Sequence, residues 1–188
     1  MRDLITYLKA SNAVTEKLIG DEAILESISF AAAEINRAIV NGKKIFACGN
    51  GGSMCDAIHF ASELTGKYRN ERRPLAAIAL SDIGAMSCIA NDFGYSEVFA
   101  RHITALGAYG DVLMAISTSG ASANVLSAMI AAQKQGMGII GLTGASPADE
   151  FLDHCDVLIR VPSTLVNHIQ ETHMKILHLI VELIEKEL

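Results

Sequence analysis

The chain of 188 residues is 51% hydrophobic and 19% charged, with a formal net charge of −6 at pH 7. That length suits one domain, residues 1–188, with an ample core, and an acidic balance without a long basic run excludes a duplex-binding surface, which needs clustered Lys and Arg to displace counterions. No window reaches the ~18 apolar residues of a membrane span, and burial between subunits is one candidate for where the hydrophobic excess goes.

The first residues, "MRDLITYLKASNAVTEKL", hold no unbroken apolar region of signal type. Cys48, Cys55, Cys88 and Cys155 show no CxxC spacing, and a chain with this core has no need of a disulfide framework. They read as reduced thiols of a cytoplasmic protein. Residues 1–19 and 22–41 carry apolar positions at helical spacing (Leu4, Tyr7, Leu8; Ile24, Ile28, Ala31, Ala32, Ile35, Ile39), interrupted by "GDE", and predict two leading helices.

From residue 42 to 188 the pattern changes to a core of alternating strands and helices. Five short β-rich runs end in turns: "KKIFACG", "LAAIALS", "DVLMAIS", "MGIIGLTG" and "DVLIRVPS". Continuous apolar runs of this length suit strands buried on both faces, and the helical stretches between most of them give βαβ units. The expected class is α/β, a doubly wound five-stranded parallel sheet flanked by helices. The chain closes on a long helix, apolar around nearly its whole girth from Met174 to Ile184, as expected of a helix packed on two sides, by its own sheet and by another subunit.

Two strand ends carry chemistry. "GNGGS" at 49–53 follows the first strand and precedes a helix, where open α/β sheets bind ligands. Met54 stands where a Rossmann fingerprint wants glycine, and no Gly-Lys-Ser/Thr of a Walker loop is present. What remains is a sharp turn offering backbone N–H groups, the Asn50 amide and the Ser53 hydroxyl. "STSGAS" at 117–122 is its counterpart after the third strand: Ser117, Thr118, Ser119 and Ser122 before a helix start suit a phosphate, which the partial positive charge of the helix end attracts without a lysine. N-capping in a serine-rich turn is the competing explanation.

Ionisable residues add a third feature. His59 and Glu63, four apart, share a helix face. Gln170 and His178, eight apart, face one cleft from the last helix, whereas His173 is turned away as a structural histidine. As a set, His59, Glu63, Gln170 and His178 suit either a tetrahedral metal site or a carboxylate and imidazole that move protons, and spacing does not choose between these. The basic cluster Lys67, Arg69, Arg72 and Arg73 reads as a solvated loop or a phosphate contact.

Taken together, "CGNGGSMCDAIHFASELTGKY", "IANDFGYSEVFAR", "GDVLMAISTSGASANV" and "IQETHMKILHLIVELIE" closely resemble the phosphoheptose isomerases of the sugar isomerase (SIS) domain superfamily. The similarity runs from about Gly42 to the C-terminus and more loosely through the leading helices. It implies a SIS-type fold and conversion of sedoheptulose 7-phosphate into D-glycero-D-manno-heptose 7-phosphate, the first step toward the ADP-heptose of bacterial lipopolysaccharide. It also implies a homotetramer with active sites at subunit interfaces. By the same resemblance, Asn50, Gly51, Gly52, Asn91 and Asp92 contact substrate and Ser117, Thr118, Ser119 and Ser122 hold its phosphate. His59, Glu63, Gln170 and His178 bind zinc, with Glu63 and Gln170 also touching substrate. Glu63 is the leading base and His178 its partner acid or base.

Several positions depart from the family pattern: Met54 for a frequent histidine, Lys67 for arginine, Asn167 and His168 before "IQE", and the 144–155 connection. Lysine lacks arginine's bidentate fork. The competing readings are a non-catalytic SIS protein-binding module, similar to the replication-initiator-associating protein of bacteria, and another SIS sugar-phosphate enzyme or sensor. The presence of His59, Glu63 and His178 favours the isomerase.

Overall fold

The computed structural model describes residues 1–188. Helices α1 (Arg2–Ile19) and α2 (Glu22–Val40) lead, as the apolar spacing predicts, and the Asp21 carboxylate caps α2 by accepting from the Ile24 N–H at 3.2 Å. Then follow β1 (Ile45–Gly49), α3 (Gly52–Thr65), β2 (Ala77–Ala79), α4 (Ile83–Phe93), a 3-10 turn (Tyr95–Glu97), α5 (Ala100–Leu106) and β3 (Val112–Ser117). The chain ends with α6 (Ala123–Lys134), β4 (Gly138–Thr143), α7 (Asp149–Asp153), β5 (Val157–Arg160) and α8 (Val166–Glu187).

All five strands are parallel, in the order β2-β1-β3-β4-β5. Every residue of β1 and β3 is buried, because helices cover both faces of the central strands. Along β3 the side chains alternate between two cores. Val112, Met114 and Ile116 join Ile35, Phe60, Leu64 and Ile180 beneath α2, α3 and α8, while Leu113 and Ala115 join Phe99, Ile103 and Met129 beneath α5 and α6. The expectation of double-sided burial fails at the edge: β2 has only three residues and leaves Ile78 37% exposed.

This order reverses direction between β1 and β3. The connection after β1 passes to one side of the sheet and the connection after β3 to the other, so α3 and α6 start next to each other over opposite faces. The register pairs Gly49 with Ile116, which sets the glycine turn beside the serine turn. Helix α8 runs back along α2 and α3 and buries Ile176, Leu177, Ile180, Val181 and Ile184 against them and the sheet.

Candidate active site

At the glycine turn, Gly51 has φ +54°, a conformation that side chains rarely tolerate, and it starts α3 without a side-chain cap. Gly52 lies against a side chain: a Cβ there would sit 2.5 Å from the Gln170 amide nitrogen, so that amide would have to shift. Gln170 therefore lies directly over the start of α3. Asn50 faces the other way, exchanging two hydrogen bonds of 2.8 Å with the Asn124 amide on α6, and its Oδ1 also accepts from the Tyr95 hydroxyl at 3.1 Å. The two turns are thus joined through Asn124, a residue that sequence reasoning missed, as it missed Tyr95.

At the serine turn, Gly120 (φ +61°) makes the bend and the Ser117 and Ser122 hydroxyls lie 3.1 Å apart. The Ser119 hydroxyl accepts from the Ala121 N–H, and the Thr118 carbonyl accepts from Gly144. Ser122 is the N-cap residue of α6, yet its hydroxyl makes no cap bond. A twelve-residue helix thereby presents the start of its N–H array, flanked by hydroxyls, to whatever lies above the sheet edge, which suits a phosphate.

The ionisable residues converge where α3 meets α8. His59 Nε2 is 3.1 Å from Glu63 Oε1 and 2.9 Å from His178 Nε2. One ligand atom from each of the three lies within 4.8 Å of the others. The Glu63 side chain is 18% exposed, half-enclosed but open to a reacting molecule. The His178 ring is held on two sides, edge-on by His59 with centroids 5.1 Å apart and stacked at 27° on Tyr68 with centroids 5.7 Å apart. Gln170, two turns earlier on α8, has its amide over Gly52 at the glycine turn.

Asp56 lies one turn before His59, 6% exposed, with Oδ2 unpartnered. Burial pushes its carboxyl up to about 6, against the opposing pull of His59. Asn91 and Asp92 occupy the last turn of α4, exposed and hydrogen-bonded to each other at 2.7 Å. They stand apart from the cluster, although Tyr95, just beyond them, reaches Asn50. The basic loop departs from both sequence expectations at one residue: Arg72 is neither solvated nor free for phosphate, because its guanidinium pairs with Glu185 in a site where the side chains are 8% and 3% exposed.

Comparisons with known proteins place the chain in a family. Residues 6–144 match the SIS domain family. Over 186 residues the chain is 48% identical to the phosphoheptose isomerase of Cytophaga hutchinsonii, covering 98% of this chain and 97% of that one. The phosphoheptose isomerase of Shigella dysenteriae is 47% identical over 189 residues, covering 100% and 98%. The chain belongs to the phosphoheptose isomerase family of SIS-domain proteins. Within that family, the solved structure from Francisella tularensis superposes with a TM-score of 0.93 at 35% identity, covering 98% of this chain and 97% of that one. The structure from Neisseria gonorrhoeae gives 0.87 at 37% identity and 98% coverage of both.

The His59, Glu63 and His178 cluster has the make-up of a group that could hold a metal ion. Donor atoms around a tetrahedral zinc stand roughly 3.3 Å apart, close to the 3.1 and 2.9 Å separations found here. Two imidazoles and a carboxylate are also the donor types of an open zinc site, with a position left for substrate. The residues present fit a metal ion.

Proposed function

We propose that the protein is a ketose–aldose isomerase acting on sedoheptulose 7-phosphate to give D-glycero-D-manno-heptose 7-phosphate, in the heptose branch of carbohydrate metabolism that serves lipopolysaccharide. The observation that carries the reading is the convergence of Glu63, His59 and His178 from two helices at a sheet switch point, where α/β proteins bind ligands. The serine turn, Ser117 to Ser122, takes the phosphate. Asn50, Gly51, Gly52 and Gln170 hold the sugar hydroxyls, and Asn91 and Asp92 on α4 approach from the open side.

In the ketose-to-aldose direction a base removes a proton from C1 and the electron pair forms the C1–C2 double bond. The C2 oxygen takes up a proton, giving an enediol, and return of a proton to C2 with loss of one from O1 completes the aldose. Glu63 is the base, its second oxygen free while Oε1 rests against His59. His178, pinned between His59 and Tyr68, exchanges the oxygen-bound protons. His59, Glu63, His178 and, from the first turns of α8, Gln170 would hold a zinc ion, which when bound would supply Lewis-acid stabilisation of the negative oxygen.

We further propose one catalytic SIS unit per chain, spanning 1–188, a homotetramer, and a cytoplasmic location. No helix is long and apolar enough to cross a membrane. A non-catalytic SIS module is disfavoured by the complete cluster. Incubation with sedoheptulose 7-phosphate, with and without added zinc, is expected to yield aldose, and unphosphorylated sedoheptulose is expected to turn over far more slowly because the serine turn then contributes nothing. Binding of the phosphorylated sugar without turnover in any metal condition would identify a sensor instead.

A further inference from the structure

Arg72 sits in the loop between α3 and β2, outside both turns and the ionisable cluster. Its guanidinium fans out over the end of α3, donating from Nη2 to the carbonyl of Glu63 itself (2.6 Å) and from Nη1 to the carbonyls of Leu64 (2.9 Å), Arg73 (3.2 Å) and Gly66 (3.3 Å). The Glu63 and Leu64 carbonyls, in the last turn of α3, have no intrahelical partner, although Leu64 also accepts the Leu75 N–H at 3.1 Å, and a cation there also meets the negative end of the helix dipole. The remaining donor, Nε, goes to Glu185 Oε1 at 3.1 Å.

Glu185 completes the arrangement from α8. Seven residues beyond His178, it lies on the same helix face two turns on. Its Oε2 accepts the N–H groups of Arg69 (3.2 Å) and Asn70 (3.1 Å). Burial would raise the Glu185 carboxyl, but those two amides and the Arg72 charge hold it below its ordinary value, so the pair stays ionised. The loop fixed in this way carries Tyr68, the residue stacked on the His178 ring.

We infer that Arg72 and Glu185 are positioning residues for the reaction: one buried ion pair that locks the α3 turn bearing Glu63 to the α8 face bearing His178 and sets Tyr68 against that imidazole. The 2.9 Å His59–His178 contact crosses from α3 to α8, while the 3.1 Å His59–Glu63 contact lies within α3, and near the cluster Arg72 and Glu185 tie the two helices together by charge. Displacing Glu63 by a fraction of its reach misaligns the base while leaving both substrate turns in place, so the cost falls on kcat and spares KM. Lysine cannot replace Arg72, because a point charge cannot satisfy the fan of carbonyls and the carboxylate together.

The inference rests on the catalytic reading of Glu63 and His178. Its test compares Arg72→Lys, Glu185→Gln and, as a control, Asn36→Ala, which removes a separate tie from the same end of α8 to α2, the 2.7 Å bond from Asn36 Nδ2 to Glu187. Arg72→Lys and Glu185→Gln are expected to lower kcat about 10–100-fold with KM nearly unchanged, and to weaken Zn²⁺ binding, titrated by calorimetry into metal-free protein, over the same range. Asn36→Ala is expected to lower the melting temperature while sparing both. An Arg72→Lys protein that melts earlier yet keeps wild-type kcat and Zn²⁺ affinity would show a merely structural pair and overturn the inference. Should Arg72→Lys fail to fold, Glu185→Gln decides by the same two readouts. A wild type that turns over no substrate sinks the catalytic reading alone, and the Zn²⁺ titrations still decide the positioning.

Discussion

His173 is wholly buried, with Nε2 3.3 Å from the Thr143 carbonyl oxygen and Nδ1 without a partner. Burial depresses its pKa from 6.5 to about 4, only partly opposed by the Thr143 carbonyl. Asp56 is shifted the other way, from 3.8 up to about 6. Between these values the unfolded chain binds the histidine proton that the folded chain refuses, so the His173 contribution is lost as pH falls from 6.5 toward 4. The folded chain meanwhile binds the Asp56 proton more readily, so that contribution grows as pH falls from 6 toward 3.8. The two slopes oppose each other. Asp56→Asn, which removes the second, is expected to lose about 2 kcal/mol of stability on going from pH 7 to pH 5, where the wild type loses less. Urea unfolding at the two pH values measures this, and an equally flat Asp56→Asn profile would contradict the assignment of His173 as a neutral buried histidine.

At the scale of elements, α1 behaves differently from the rest. Only Val14 and Leu18 of its eighteen residues are buried, while Leu4, Leu8 and Ile19 are 68%, 62% and 59% exposed. A polar latch holds it to α8: the Tyr7 hydroxyl donates to Glu171 at 2.7 Å and accepts from Asn167 at 2.9 Å, Ser11 donates to the other Glu171 oxygen, and the Tyr7 ring meets His168 edge-on. Asn167 and His168, two departures from the family pattern, thus serve this helix contact. Leu179, on the outer side of α8, is 43% exposed, so the sheet covers one side of that helix and leaves another open. An exposed apolar face on two adjacent helices is costly in water and suits contact between copies of the chain. Sedimentation equilibrium is expected to give four times the 20.0 kDa chain mass, and Leu8→Glu is expected to yield smaller species. A wild type that sediments as one chain at micromolar concentration would refute the tetramer.

For the molecule as a whole, legibility followed the range of the interactions. The central strands were readable because β1 and β3 are apolar throughout, and the two turns because glycine and hydroxyl residues are clustered at strand ends. His59 with Glu63 was visible because four residues is one helical step. Asn124 and Tyr95 carry no local pattern, and their role exists only once the sheet order sets α6 beside β1. Arg72 looked like one cation in a surface run, since its partner Glu185 lies 113 residues away and burial of a charge has no sequence signature. These parts meet in the proposed reaction: Glu63, held against His59, which in turn meets His178, takes the C1 proton of a phosphorylated ketose bound across the two turns. The most direct test is the rate of aldose formation from sedoheptulose 7-phosphate by Glu63→Gln, which keeps the side chain's shape and removes its basicity. The expected result is a fall in kcat of about 10²–10⁴ in a folded protein that still binds substrate. A Glu63→Gln enzyme running near the wild-type rate would contradict it.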